Sequence, residues 1–236
     1  MSWFAYALIC ALSVAIMDAL SKKALIDNDP YFVAWVRVVF AAPLLLFALP
    51  FIEIPKLDRV FFTITSILLP LAVIALLLYL KAINISPLSL TLPFLSLTPV
   101  FVLGTSYIIL GEKPDRSGIV GIFLVVIGAY LLNVHTIKRG FLEPLKAITK
   151  EKGSVLMVIV AFICSVNLNL GKVAVLHSSP IFLSIFYLFI LSILLSLIVS
   201  FKTKDFFSKI ASQKLLFFLI GISMAVMTVT HLKAIC

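Results

Sequence analysis

The sequence predicts an all-α fold, a polytopic transmembrane helical bundle, and three observations carry that prediction. First, 63% of the 236 residues are hydrophobic and 12% are charged, whereas a soluble domain is about half apolar and about a quarter charged. The mean hydropathy is +1.23, and a soluble fold of this composition would lack the polar surface to cover itself. Second, the apolar residues gather into eight stretches, 3–21, 31–51, 60–80, 87–110, 117–134, 154–174, 181–201 and 214–235, each near the length of roughly 20 residues that a helix needs to cross a bilayer. Third, the two halves of the chain resemble each other. In lipid a backbone must satisfy its own hydrogen bonds, so each stretch is expected to be a helix.

Taken in order, the first stretch opens "MSWFAYALICALSVAIMDALSKK". It lacks a basic leader region and a small-residue cleavage site, so it reads as a retained span. The gaps between stretches are short and carry turn formers and charges. One is longer: residues 135–153, "HTIKRGFLEPLKAITKEKG", are basic and suit a short amphipathic stretch lying on the bilayer surface. Pro70, Pro93 and Pro99 fall inside the third and fourth stretches, where a proline is expected to kink or break a helix. Cys10, Cys164 and Cys236 lie in apolar stretches without a CxxC and read as small buried hydrophobes.

The repeat appears when the halves are set 150 positions apart. Leu20, Lys22 and Ala24 then lie over Leu170, Lys172 and Ala174, and Pro30 and Phe32 over Pro180 and Phe182. Further on, "LKAI" at 80–83 lies over "LKAI" at 232–235. Stretches 1, 2 and 3 thus match 6, 7 and 8. A unit with an odd number of spans enters the membrane from opposite sides in its two copies, the inverted repeat found in many secondary transporters.

At this point the sequence resembles a known family. The stretch "LTPVFVLGTSYIILGEKPDRSGIVGIFLVVIGAYLL" (97–132) resembles the fourth and fifth helices of an EamA-type repeat of the drug/metabolite transporter superfamily. The residues that carry the likeness are Pro99, the Gly111-Glu112 pair, Gly118 and Gly128. The opening "ALSVAIMDALSKKAL" and the stretch "KAINISPLSLTLPFLSLTP" are similar to the first helix and to the entry of the fourth. The resemblance implies ten helices in two five-helix inverted repeats with a substrate cavity between them. Here it gives a first repeat over 1–136, a basic linker over 137–152 and an incomplete second repeat over 153–236, five plus three helices. The expectation is therefore a ten-helix transporter cut short, or a shortened relative that recruits the missing surface from a partner.

Several polar residues inside the stretches are candidates for the cavity, because ionisable groups in a span are costly and usually face the bundle interior. Asp18 and Lys22 are four apart and share a helix face. Arg37 could meet an anionic substrate, pair with Asp18, or reach the nearby membrane edge. Asn167, Asn169 and Lys172 occupy the matching part of the sixth stretch. The two asparagines, two positions apart, cannot share a face, and either could serve as interhelical glue. Tyr79, Tyr187 and His231 are weaker candidates that could equally pack or sit at an interface. Glu112 is expected to be structural, accepting hydrogen bonds from the first amides of the fifth helix. Asp18 is the one acidic residue well inside a span and so the candidate for proton coupling.

An enzyme is disfavoured. There is no HExxH, GxSxG or P-loop, and His135, His177 and His231 are widely spaced, without metal-ligand spacing. No catalytic residue, metal or cofactor is expected. The net charge of +9 fits loops beside anionic lipid, not nucleic acid. A small-molecule substrate and membrane lipid are the expected partners, with a homodimer as a further arrangement, and the expected location is a prokaryotic cytoplasmic (inner) membrane. A lipid-modifying intramembrane enzyme and a non-transporting scaffold are the competing classes. Lys and Arg crowd the gaps after stretches 1, 3, 5 and 7, which places the N-terminus outside; the resemblance implies it is inside. These two indications oppose each other.

Overall fold

The computed structural model describes residues 3–46, 50, 52, 54–112, 115–132, 151–202, 210 and 213–235. Most of the basic segment read above as surface-lying falls outside the described residues, as does Cys236. The described regular elements are all helical: α1 (Trp3–Ala24), α2 (Pro30–Val39), α3 (Ala42–Leu46), α4 (Arg59–Ile85), α5 (Leu88–Thr91), a 3₁₀ segment (Leu92–Leu97), α6 (Thr98–Leu110), α7 (Arg116–Leu132), α8 (Lys152–Leu176), α9 (Pro180–Lys202) and α10 (Lys214–Ile235). Among the described residues, six helical segments are long and apolar enough to cross a membrane, the α5–α6 stretch counting as one, and Pro30–Leu46 and Gly118–Gly128 are shorter apolar segments.

Proline explains where helices break. The second stretch was expected to be one helix. It ends α2 at Val39 and restarts as α3 at Ala42. Pro43 is the cause, because its ring meets the carbonyl of Val39 and it has no N–H to donate. Pro93 lies in the 3₁₀ segment and Pro99 in the first turn of α6, where a missing N–H is harmless. Pro70 lies inside α4, which is helical on both sides of it, so of the expected kink or break, the break does not occur there.

The chain divides into two compact units. Unit 1 comprises Met1–Leu69 with Ala174–Cys236, and unit 2 comprises Pro70–Val173. In unit 1, α1 packs along α10, and α2 packs on α9 and α10. Trp35 Nε1 on α2 donates to Ser196 Oγ on α9 at 2.8 Å. Gly221 of α10 lies so close to Phe40 that a Cβ there would meet the Phe40 backbone. In unit 2, α7 packs on the 3₁₀ segment and on α6. Gly153 of α8 rests against Ser86 and the Ala82 carbonyl at the end of α4.

The two ends of unit 1 start their helices alike. Asp29 caps α2 by accepting from the Phe32 N–H at 2.9 Å, with Pro30 in the first turn. Ser179 caps α9 by accepting from the Phe182 N–H at 3.3 Å, with Pro180 first. Short oxygen side chains and an N-terminal proline are the strongest helix-start signals. Phe32 meets Phe217 edge-on at 5.5 Å, and Phe182 meets Phe61 at 6.1 Å. Phe61, Ala174, Phe182 and Leu183 form a buried apolar cluster.

Loop residues close each end. At the first, Gln213 Nε2 donates to Asp27 Oδ2 at 2.8 Å, and Asn28 Nδ2 donates to Gln213 Oε1 at 3.3 Å. A cavity of about 330 Å³ opens beside them, with Lys23 and Lys214 on its walls. At the second, His177 Nδ1 lies 2.7 Å from Asp58 Oδ2. Asp58 also caps α4, accepting from the Phe61 N–H at 2.9 Å.

Candidate functional site

In unit 1 the candidate residues centre on an ion pair. Arg37 Nη2 donates to Asp18 Oδ1 at 2.8 Å, and the side chains are 4% and 5% exposed. Arg37 Nε donates to Ser21 Oγ, also at 2.8 Å. The Asp29 cap and Pro30 start α2 so that Arg37 arrives in its last turn facing α1. Asp18 and Ser21 are three apart and share one face of α1. Of the options for Arg37, pairing with Asp18 is the one realised. A buried carboxylate and guanidinium satisfy each other in a medium where either alone would be very costly. Asp18 is therefore engaged by a fixed cation. Lys22 and Tyr187 are half-buried and His231 is exposed.

In unit 2, Asn169 of α8 donates through Nδ2 to Thr105 Oγ1 on α6 at 2.8 Å and to the Ser165 carbonyl at 2.9 Å. Asn169 and Thr105 are both buried, and Phe101 and Phe162 meet edge-on at 5.7 Å on the same two helices. Asn169 is thus interhelical glue, worth on the order of 1 kcal/mol in a membrane. Asn167 is half-buried, and its Oδ1 is buried with no hydrogen-bond partner among the described residues. The two asparagines do diverge, as their spacing requires. Tyr79 is half-buried.

Lys172 and Glu112 meet each other. Lys172 Nζ donates to both Glu112 carboxylate oxygens at 2.7 Å, with the two side chains 50% and 53% exposed. The group that caps the fifth helix is Asp115, which accepts from the Gly118 N–H at 2.8 Å. A cap must sit just before its helix, and Asp115 immediately precedes Arg116. Gly111 closes α6 in the left-handed region, φ 68°, where glycine is least strained. Its N–H bonds the Tyr107 carbonyl. Pro99 starts that helix, and Gly118 and Gly128 lie on α7.

The candidate set is therefore divided: Asp18, Lys22, Arg37, Tyr187 and His231 belong to unit 1, and Tyr79, Asn167, Asn169 and Lys172 to unit 2. Sequence reading missed Ser21 and Thr105. Ser21 had a signal, its place one turn after Asp18; Thr105 had none beyond being polar within a span. Among the described residues, no group of three or more His, Cys, Asp or Glu could hold a metal.

Apolar helices of spanning length, with the buried Asp18–Arg37 ion pair between two of them, define a polytopic helical membrane protein. The model of the EamA-like transporter family matches residues 1–134, more than half of the chain, and the protein belongs to that family. No curated protein and no solved structure matches the chain.

Proposed function

We propose that the protein carries a small organic solute across a membrane by alternating access of two inverted repeats. The observation that carries this reading is the match of residues 1–134 to a family of transporters. Internal packing supports the two-repeat part. The pairing of α1 with α10 joins the first span to the eighth, and the contact of Gly153 with Ser86 joins the sixth to the third. Exchanging the repeats turns one pairing into the other. The pairing of α2 with α9 joins the second span to the seventh and maps onto itself. Rocking of two such repeats about a shared midplane site is how inverted-repeat carriers expose a solute to each side in turn.

The solute-facing groups in this reading are polar side chains near mid-span, with Asn167 Oδ1 as an acceptor for a donor on the solute. Asp18 and Arg37 hold α1 and α2 together as one body. The proposed location is a prokaryotic cytoplasmic membrane. Counterflow in proteoliposomes across a panel of small organic solutes tests the proposal. It predicts saturable exchange of at least one solute, and Asn167→Leu should raise the half-saturation concentration about tenfold, the effect of one lost hydrogen bond. A folded, reconstituted protein that exchanges no member of a broad panel contradicts the proposal.

A further inference from the structure

The closing contacts at the two ends of unit 1 occupy corresponding places in the two copies. Asp27 and His177 are 150 positions apart, the same separation as Pro30 from Pro180 and Phe32 from Phe182. Each lies in the loop after a first-position helix, α1 or α8. Their partners also correspond: Asp58 directly precedes α4, and Gln213 directly precedes α10. Each partner lies one turn before a buried phenylalanine, Phe61 or Phe217, that packs on Phe182 or Phe32. The helix α9, of 23 residues, runs from one end to the other, about 35 Å at 1.5 Å per residue.

The chemistry of the two contacts differs. At the Asp27 end an amide, which does not ionise, meets a carboxylate. At the His177 end an imidazole meets a carboxylate, and imidazole is the side chain that changes charge in that range. With the carboxylate as acceptor, Nδ1 carries a proton in either state, and a second proton on Nε2 makes the ring cationic. Loss of that second proton keeps the hydrogen bond but removes its charge assistance.

We infer that His177 and Asp58 form a proton-responsive clasp at one end of unit 1, tightened by acidification, while the corresponding Gln213–Asp27 contact at the other end holds equally at all near-neutral pH. Among the described residues, the charged side chains nearest in sequence to this contact are Lys56 and Arg59 beside Asp58, and Lys172 on α8, which pairs with Glu112; Lys81, Lys152 and Lys202 lie at the far ends of α4, α8 and α9. The first turn of α9 carries no charge. Asp58 is held below the ordinary carboxylate range, first by the Phe61 N–H and also by His177. It therefore stays anionic while an imidazole titrates. Its own contribution is present above its ordinary value and is lost only as pH falls through the lowered one. For the imidazole the sign is opposite, since acid adds the second ring proton that supplies the charge. The consequence for transport, acid-favoured closure of one end only, rests on the two-repeat reading above. The clasp itself does not.

Amide hydrogen exchange on the intact protein in nanodiscs, corrected for intrinsic rates, tests the inference. Between about pH 5 and pH 8, protection of residues 57–62 and 175–180 should fall about two- to fivefold, the size of an exposed ion pair. Residues 23–29 and 213–217 should not change. His177→Gln copies the chemistry of the other end and should abolish the pH response. Asp58→Asn keeps an N-cap and should do the same, which guards against a misfolded first variant. An equal response at both ends, no response in the wild type, or a response that survives both substitutions overturns the inference. These outcomes are read without any transported solute, so failure of the clasp is distinguishable from failure of the transport reading.

Discussion

At one end of unit 1, Phe32 follows the Asp29 cap and packs on Phe217; at the other, Phe182 follows the Ser179 cap and packs on Phe61. The capping oxygen, the first-turn proline and the aromatic pair occur in both places. The charges do not. The positions 150 beyond Asp18, Ser21 and Arg37 are Leu168, Gly171 and Tyr187, so the buried ion pair has no counterpart in the second half. The titratable clasp at His177 has none in the first, where Asp27 stands. What the two ends share is what starts and packs a helix, and any repeat needs that. What separates them is charge, which is free to diverge once the helices are in place. In the two-repeat reading, this makes the two ends mechanically alike but electrostatically distinct.

The largest effect that can break this comparison is expected at the ion pair. Asp18→Asn leaves the Arg37 guanidinium buried without its anion and should destabilise the protein by about 3–5 kcal/mol, measured by reversible unfolding in mixed micelles. Adding Arg37→Tyr, the residue of the corresponding second-half position, should recover much of that loss, because no uncompensated charge is left. If the single variant is as stable as the wild type, the pair does not hold α1 to α2. A smaller effect sharpens the likeness of the ends. Asp29→Ala and Ser179→Ala each remove one cap and should each cost about 1 kcal/mol. Asp29 should cost the more, since its bond is 2.9 Å against 3.3 Å for Ser179. A neutral result at one end only would show that the two helix starts are not equivalent.

Much of this was legible in the sequence, for definite reasons. Spans are legible because lipid demands long apolar runs, and the helix starts because Asp29-Pro30 and Ser179-Pro180 are local signals. Pro43 was equally local and went unread; its clash with the Val39 carbonyl divides the second stretch into α2 and α3. Glu112 was assigned the cap that Asp115 makes, because a Gly-Glu turn suggests capping, whereas the position directly before the helix decides it. Partners distant in sequence were the least legible. Asp18 with Arg37 was one of several open choices, and Asn169 with Thr105, Lys172 with Glu112 and His177 with Asp58 were not foreseen. Periodicity says which face of a helix is polar but not which helix that face will meet. The division at Leu69–Pro70 and Val173–Ala174 was not foreseen either. It depends on which helices pack together, and it cuts within α4 and α8, not at the loops where a sequence reading looks.

The central claim is that the two halves enter the membrane from opposite sides. It is tested most directly by single cysteines placed at Ile26, Leu215, Lys56 and Leu176, all exposed, with Cys10, Cys164 and Cys236 replaced by serine. These sites leave both end contacts intact, and Ile26 and Leu176 are corresponding positions 150 apart. Labelling of sealed, uniformly oriented vesicles with a membrane-impermeant maleimide should reach Ile26→Cys and Leu215→Cys from one side, and Lys56→Cys and Leu176→Cys from the other. Labelling of Ile26→Cys and Leu176→Cys from the same side would contradict the account.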